Sequence, residues 1–151
     1  MAKAYKLFFI AFIAVLIADQ AIKQIFLGGF DWNSDCISLN LTFNKGVAFS
    51  MFDSLGENLK YIQLTLISAI FAYLFWDKEV IKEYTYAIGL VLGGGVSNLL
   101  DRFTQEGVVD YVYWHCGFDF AIFNFADVMI DLGILLILIF TYKNSKKENL
   151  N

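Results

Sequence analysis

Four apolar runs limit what this chain can fold into. They extend from Leu7 to Leu27, from Leu59 to Trp76, from Tyr84 to about Leu100, and from about Phe125 to Tyr142. An α-helix rises 1.5 Å per residue, so about 20 apolar residues cross the ~30 Å hydrocarbon core of a bilayer. Each run is near that length. Composition agrees: 58% of residues are hydrophobic and 17% charged, against about 45–50% and 25% in a soluble domain. The predicted fold is an integral membrane, mainly α protein with four transmembrane helices. A length of 151 residues suits a single membrane-embedded domain over 1–151.

The first run follows Lys3 and Lys6, as a signal peptide would. No small-residue cleavage site closes it, and Asp19, Gln20, Lys23 and Gln24 lie in its second half, so it reads as a retained span. Orientation follows from Lys and Arg in short loops. Lys3, Lys6, Lys78, Lys82, Lys143, Lys146 and Lys147 fall at the N-terminus, in the 77–83 loop and in the tail. The two other loops hold only Lys45 and, at a span edge, Arg102. Both termini are therefore expected in the cytoplasm, with the 31–57 and 104–122 loops outside.

The outer loops carry a different pattern. Cys36 to Asn44 alternates apolar and polar residues, the period of a strand. Lys45-Gly46 reads as a turn, Val47 to Phe52 as a second short strand, and Asp53 to Glu57 as the lead into the second span. Val108 to Trp114 is a further strand, with Phe118 to Phe123 as a candidate partner. Together they predict a small extracytoplasmic β-cradle on the membrane surface, where Trp32 and Trp114 suit the interface. Cys36 and Cys116 read most simply as two unpaired thiols. A disulfide between them stays open because both loops face the oxidising side. With one histidine, His115, the chain lacks the ligand set of a structural zinc site, and no basic arm points to nucleic acid.

Polar residues near the outer ends of the spans need a partner or a purpose, since an ionised group at mid-bilayer costs about 2.5–3.5 kcal/mol on insertion scales. Asp19 and Lys23 share a helix face and can pair, either as a structural anchor or in support of a site. Asn44-Lys45-Gly46 is a hairpin turn or part of a site. Gly93, Gly94 and Gly95 suit close helix packing. They precede Asn98, Asp101 and Arg102. Arg102 can clamp a carboxylate or a lipid phosphate, and Asp101 is expected to partner Asn98 and Arg102. Asp110 lies in an apolar strand. Asn124 is a candidate N-cap with Asp127 in the first helical turn, and Asp131 lies one turn deeper. Asp35, Asp53 and Asp119 read as solvated loop acids.

The chain has no Ser/His/Asp order, HExxH, P-loop or GxGxxG. What remains is a set of carboxylates gathered at one membrane face. Two close carboxyls share a proton, so one can activate water while the other donates to the scissile amide. No metal or cofactor is required. Spacing alone does not say which pair forms.

Five segments carry a resemblance. They are Asp19-Gln20-x-x-Lys23, Asn44-x-Gly46, Gly94-Gly95-x-x-Asn98-x-x-Asp101-Arg102, Val108-Val109-Asp110 and Phe123-Asn124-x-Ala126-Asp127. In their order and spacing the chain resembles lipoprotein signal peptidase, or signal peptidase II. The resemblance implies four helices, an outward β-cradle and an aspartyl dyad near the outer leaflet of the bacterial inner membrane. It points to Asp110 and Asp127 as the dyad. It places Asp19, Lys23, Asn44, Gly46, Asn98, Asp101, Arg102 and Asn124 at supporting or substrate-binding positions. The implied substrates are diacylglyceryl-modified prolipoproteins, cleaved just before the lipidated cysteine, and the implied inhibitor is globomycin. Some members have a longer third loop or tail than this chain. Asn44 is expected to contact the substrate backbone, and Gly46 to allow a close approach or a positive φ. Two other functions would use similar acids. A proton-coupled transporter predicts acids spread through the spans and flux in liposomes; an assembly subunit predicts acids that only pair with Lys23 and Arg102.

Overall fold

The computed structural model of the chain describes residues 1–46, 55–56 and 58–148. Its elements are α1 (Ala2–Leu27), β1 (Trp32–Asn33), β2 (Ile37–Asn44), α2 (Asn58–Trp76), α3 (Lys78–Glu83), α4 (Thr85–Thr104), β3 (Val108–Trp114) and α5 (Phe125–Glu148).

Helix α1 displays the inverted pattern of a membrane segment. Its buried positions are Phe8, Val15, Asp19, Lys23 and Phe26, which follow the helical period along one stripe. Lys23 is 0% exposed, whereas Ile17 is 63% exposed. Charge inside and aliphatic surface outside is stable only if the outside is lipid. Phe8 joins Ile67, Leu74, Ile81, Ile88, Leu92 and Leu99 in the apolar core between helices.

Helix α4 lies between α1 and α5 and packs on both. Glycine permits this. A Cβ on Gly93 would sit 2.7 Å from the Phe12 carbonyl oxygen on α1, and one on Gly94 would sit 2.6 Å from that of Ala126 on α5. Gly95 is different, since among the described residues a Cβ there would meet only Ile67 Cδ1 at 3.7 Å. Among the described residues three helices, α1, α2 and α5, are long and apolar enough to cross a membrane. The expected third span, α4, has the length but lacks that hydropathy. Its glycines and the polar Ser97, Asn98, Asp101 and Arg102 lower it, and these positions serve packing on neighbouring helices and polar contacts rather than lipid.

The sheet runs in the order β1-β2-β3 and is antiparallel throughout. Strand β3 has the bounds expected for it, and β2 begins one residue later than expected. A register shift between Leu39 and Thr42 sets Thr42 opposite Asp110. The 118–123 segment returns along β3 as a bridge of Phe123 to Val112. The expected strand at 47–52 and the loop acid Asp53 lie outside the described residues. The expectation of two free thiols is corrected: Cys36 and Cys116 form a disulfide, with Cα atoms 4.3 Å apart. The cause is register. Ile37 pairs with Trp114, and the next amide, His115 N–H, donates to the Cys36 carbonyl, which brings the two cysteines together. The two-residue β1 and the short α3, capped by the Asp77 side chain, leave too few residues for a periodic signal.

Candidate active site

The N-terminus of α5 is built by a reciprocal cap. Asn124 Oδ1 accepts the Asp127 amide at 2.9 Å, and Asp127 Oδ2 accepts the Asn124 amide at 3.0 Å. This satisfies two backbone donors at once and fixes the Asp127 carboxylate in the first turn, as expected. The Tyr111 hydroxyl accepts the Phe125 amide at 2.9 Å, and its ring stacks on Phe26 of α1 with centroids 4.2 Å apart.

Three asparagines hold the two acids. Asn124 Nδ2 donates to Asp110 Oδ1 at 2.7 Å, and Asn44 Nδ2 to Asp110 Oδ2 at 2.9 Å. Asn98 Nδ2 donates to Asp127 Oδ1 at 2.8 Å. All four carboxylate oxygens thus accept a hydrogen bond, and Asn124 bridges the pair. Burial pushes the Asp110 carboxyl up to about 7. The charge of Asp127 pushes the same way, while hydrogen bonds from Asn44 and Asn124 and the charge of Lys23 pull it down.

Behind the pair lies a buried ionic cluster. Lys23 Nζ is 2.6 Å from Asp19 Oδ2, 2.6 Å from Asp101 Oδ2 and 2.8 Å from Asn98 Oδ1. Its three protons therefore have three acceptors. Asp19 also accepts the Ser97 hydroxyl at 2.7 Å and the Ala126 amide at 2.8 Å, which ties α1 to the start of α5. Asp101 accepts Gln20 Nε2 at 2.8 Å and the Val109 amide at 3.1 Å. The expected partners of Asp101 are corrected: Lys23, Gln20 and Val109 bind it, not Asn98 or Arg102. Asp101 faces the α1 side of α4, whereas Arg102 points toward α2 and the turn. Arg102 donates to the Gln63 side chain and to the carbonyls of Lys45 and Gly46, and to no carboxylate among the described residues. The turn is stabilised further by the Gly46 amide donating to Asn44 Oδ1 at 3.0 Å.

Asp110 and Asp127 open onto one cavity of about 660 Å³, walled by Leu59, Ile62 and Leu66 of α2 and by residues 120–123. Asn44, Asn98 and Arg102 also line it. Asp19, Lys23, Asp101 and Asn124 are buried behind it. The predicted residues thus divide into a cavity-facing set and a buried support. Sequence reading missed Ser97, Gln63 and Tyr111, and gave Gln20 no role. Ser97 was legible in principle, one residue before Asn98 on the same helix. Nothing in the sequence marks Gln63 or the Tyr111 hydroxyl. Asp35 and Asp119 are exposed as expected, Asp119 accepting the Tyr113 hydroxyl.

Two carboxyls sharing one cavity, one of them titrating near neutrality, can run acid–base hydrolysis of an amide. Residues 11–143 match the family model described as Signal peptidase (SPase) II. The chain is 55% identical over 131 residues to the lipoprotein signal peptidase of Sulfurimonas denitrificans, covering 85% of this chain and 83% of that one. It is 49% identical to that of Campylobacter jejuni, covering 99% of this chain and 98% of the relative. A solved bacterial membrane enzyme superposes with a TM-score of 0.75 at 25% identity, covering 91% of this chain and 88% of that one. By a family match over most of its length and by these relatives, the chain belongs to the signal peptidase II family of proteases.

Proposed function

We propose that the chain is a membrane aspartyl endopeptidase that removes signal peptides from diacylglyceryl-modified prolipoproteins, cutting just before the lipidated cysteine. The observation that carries this reading is the pair Asp110 and Asp127, bridged by Asn124 and opening onto a largely apolar cavity. At neutral pH the two acids share one proton. Asp127, held by Asn98 and the Asn124 amide, is the base that takes a proton from water as it attacks the scissile carbonyl. Asp110 donates its proton to the carbonyl oxygen. As the tetrahedral intermediate collapses and the C–N bond breaks, Asp127 passes its proton to the leaving amine and Asp110 takes one back from a gem-diol hydroxyl, whose oxygen becomes the carbonyl oxygen of the new carboxyl group, so the dyad again holds one proton. The cavity walls on α2 and residues 120–123 suit a substrate already in lipid, and globomycin-type inhibitors would occupy the same space.

The reading places the protein in the bacterial inner membrane as a single domain over 1–151. It has four spans, counting α4, both termini in the cytoplasm, and the sheet and dyad at the outer leaflet. Loop charge supports that orientation. Purified protein in liposomes should cleave a lipidated precursor once, before the modified cysteine, and leave the unlipidated precursor largely intact. Proton or solute flux without cleavage would overturn the reading. Reporter fusions after Lys82 and Lys147 should report cytoplasm, and those in the 104–122 loop the outer side; the reverse would overturn the orientation.

A further inference from the structure

One acid that lines the cavity is left unused by the dyad and by its buried support. Asp131 is exposed on α5 and lines the same cavity as Asp110 and Asp127, and its side chain makes no hydrogen bond or ion pair among the described residues. Asp19, Asp101, Asp110 and Asp127 all have such partners. An unpaired carboxylate is costly at membrane depth. Much of the cavity wall is apolar, including Ile130 next to it on α5 and Ile62 and Leu66 of α2, with Gln63, Asn98 and Arg102 as its other polar side chains besides Asn44 and the dyad. A hydrogen-bond donor arriving with the substrate would meet an acceptor with no competitor.

Position along α5 says which part of the substrate that is. Asp131 follows Asp127 by four residues, so it shares its face and lies ~6 Å further along the axis at 1.5 Å per residue. An extended chain covers that distance in about two residues at ~3.3 Å each. In the proposed orientation α5 runs inward from the outer leaflet, and the signal peptide also lies inward of the scissile bond. Resting on the peptidase reading above, we propose that Asp131 is a specificity-determining residue. It accepts a hydrogen bond from the side chain two residues before the scissile bond and so favours a hydroxyl-bearing residue there over an apolar one of equal size. Hydrogen bonds to a charged group contribute about 1.5–3 kcal/mol, and 1.4 kcal/mol is tenfold, so the preference should be about ten- to a hundredfold.

The test uses reconstituted full-length protein and lipidated precursors that differ only in having Thr or Val, which have the same shape, at that position. The wild type should cleave the Thr precursor with a kcat/KM at least about tenfold higher. Asp131→Leu should bring the Thr-to-Val ratio to about one or below, and Asp131→Asn should leave a smaller preference for Thr than the wild type. A ratio is unaffected by an overall loss of active protein, and the Asn variant keeps the size of the side chain if Leu impairs folding. A wild-type ratio near one, or a Thr preference that persists in Asp131→Leu, overturns the proposal and leaves the peptidase reading intact. Failure of the wild type to cleave either precursor overturns the peptidase reading itself.

Discussion

Replacing Asp110 by asparagine should abolish activity yet favour the folded protein increasingly as pH rises. The Asp110 carboxyl is raised from 3.8 to about 7, chiefly by burial. Between these values the folded protein holds a proton that the unfolded chain has released. The folded state binds more protons, so stability falls as pH rises through this window and levels off above 7. The full shift corresponds to about 4 kcal/mol at 1.36 kcal/mol per unit. At pH 5 only about 1.2 units of it apply, or about 1.6 kcal/mol. An amide in place of the carboxyl does not titrate, so Asp110→Asn removes this penalty. The new amide nitrogen would also face the side-chain nitrogen of Asn44 or Asn124, both donors to Asp110, at a cost of about 1–3 kcal/mol. That cost is the same at both pH values and cancels in their difference. The stability of Asp110→Asn relative to wild type should therefore rise by about 2–3 kcal/mol between pH 5 and pH 8. Thermal or chemical unfolding in detergent at the two pH values measures it. A relative stability that does not change with pH would refute the assignment of a raised Asp110.

Further outcomes follow from the packing. Gly94→Ala should destabilise by about 1–3 kcal/mol and lower cleavage, because its Cβ would meet the Ala126 carbonyl beside Asp127; Gly95→Ala, with only Ile67 in contact, should remain near wild type in both. Lys23→Met leaves Asp19 and Asp101 buried without their cation and should cost at least about 3–5 kcal/mol. The triple variant with Asp19→Asn and Asp101→Asn should recover part of that loss in the same unfolding assay, and no recovery would argue against an ionic cluster. Reduction of Cys36–Cys116, or Cys36→Ser with Cys116→Ser, should lower stability by about 2–4 kcal/mol and leave α5 helical by circular dichroism; an unchanged melting temperature would contradict a stabilising role for the disulfide.

Much of the site was legible because membrane burial makes polar residues conspicuous. Asp19, Lys23, Asn98, Asp101, Arg102, Asn124 and Asp127 stand out against apolar neighbours, and helical spacing puts Asp19 with Lys23 on one face. The asparagine cap of α5 was legible for the same reason. What spacing could not supply was direction across helices. Adjacent in sequence, Asp101 and Arg102 point about 100° apart on α4, so one joins Lys23 on α1 and the other joins Gln63 on α2. Strand register is likewise long-range, and the Cys36–Cys116 pairing depends on it, although a separation of 80 residues gives no local hint. The hydropathy of α4 was overestimated because its run of glycines flanked by Leu and Val reads as apolar, whereas glycine there serves helix contact.

In the proposed mechanism Asp110 and Asp127 together carry the chemistry. Its most direct test is single-turnover cleavage of a lipidated precursor by purified wild type, Asp110→Asn and Asp127→Asn, each shown to be folded by its unfolding transition. An amide can neither take a proton from water nor donate one as an acid does, and general acid–base catalysis contributes about 10²–10⁴-fold. Each variant should therefore cleave at least about a hundredfold more slowly than wild type, with the precursor still bound. A folded Asp110→Asn or Asp127→Asn variant that cleaves within a few-fold of the wild-type rate would contradict the account.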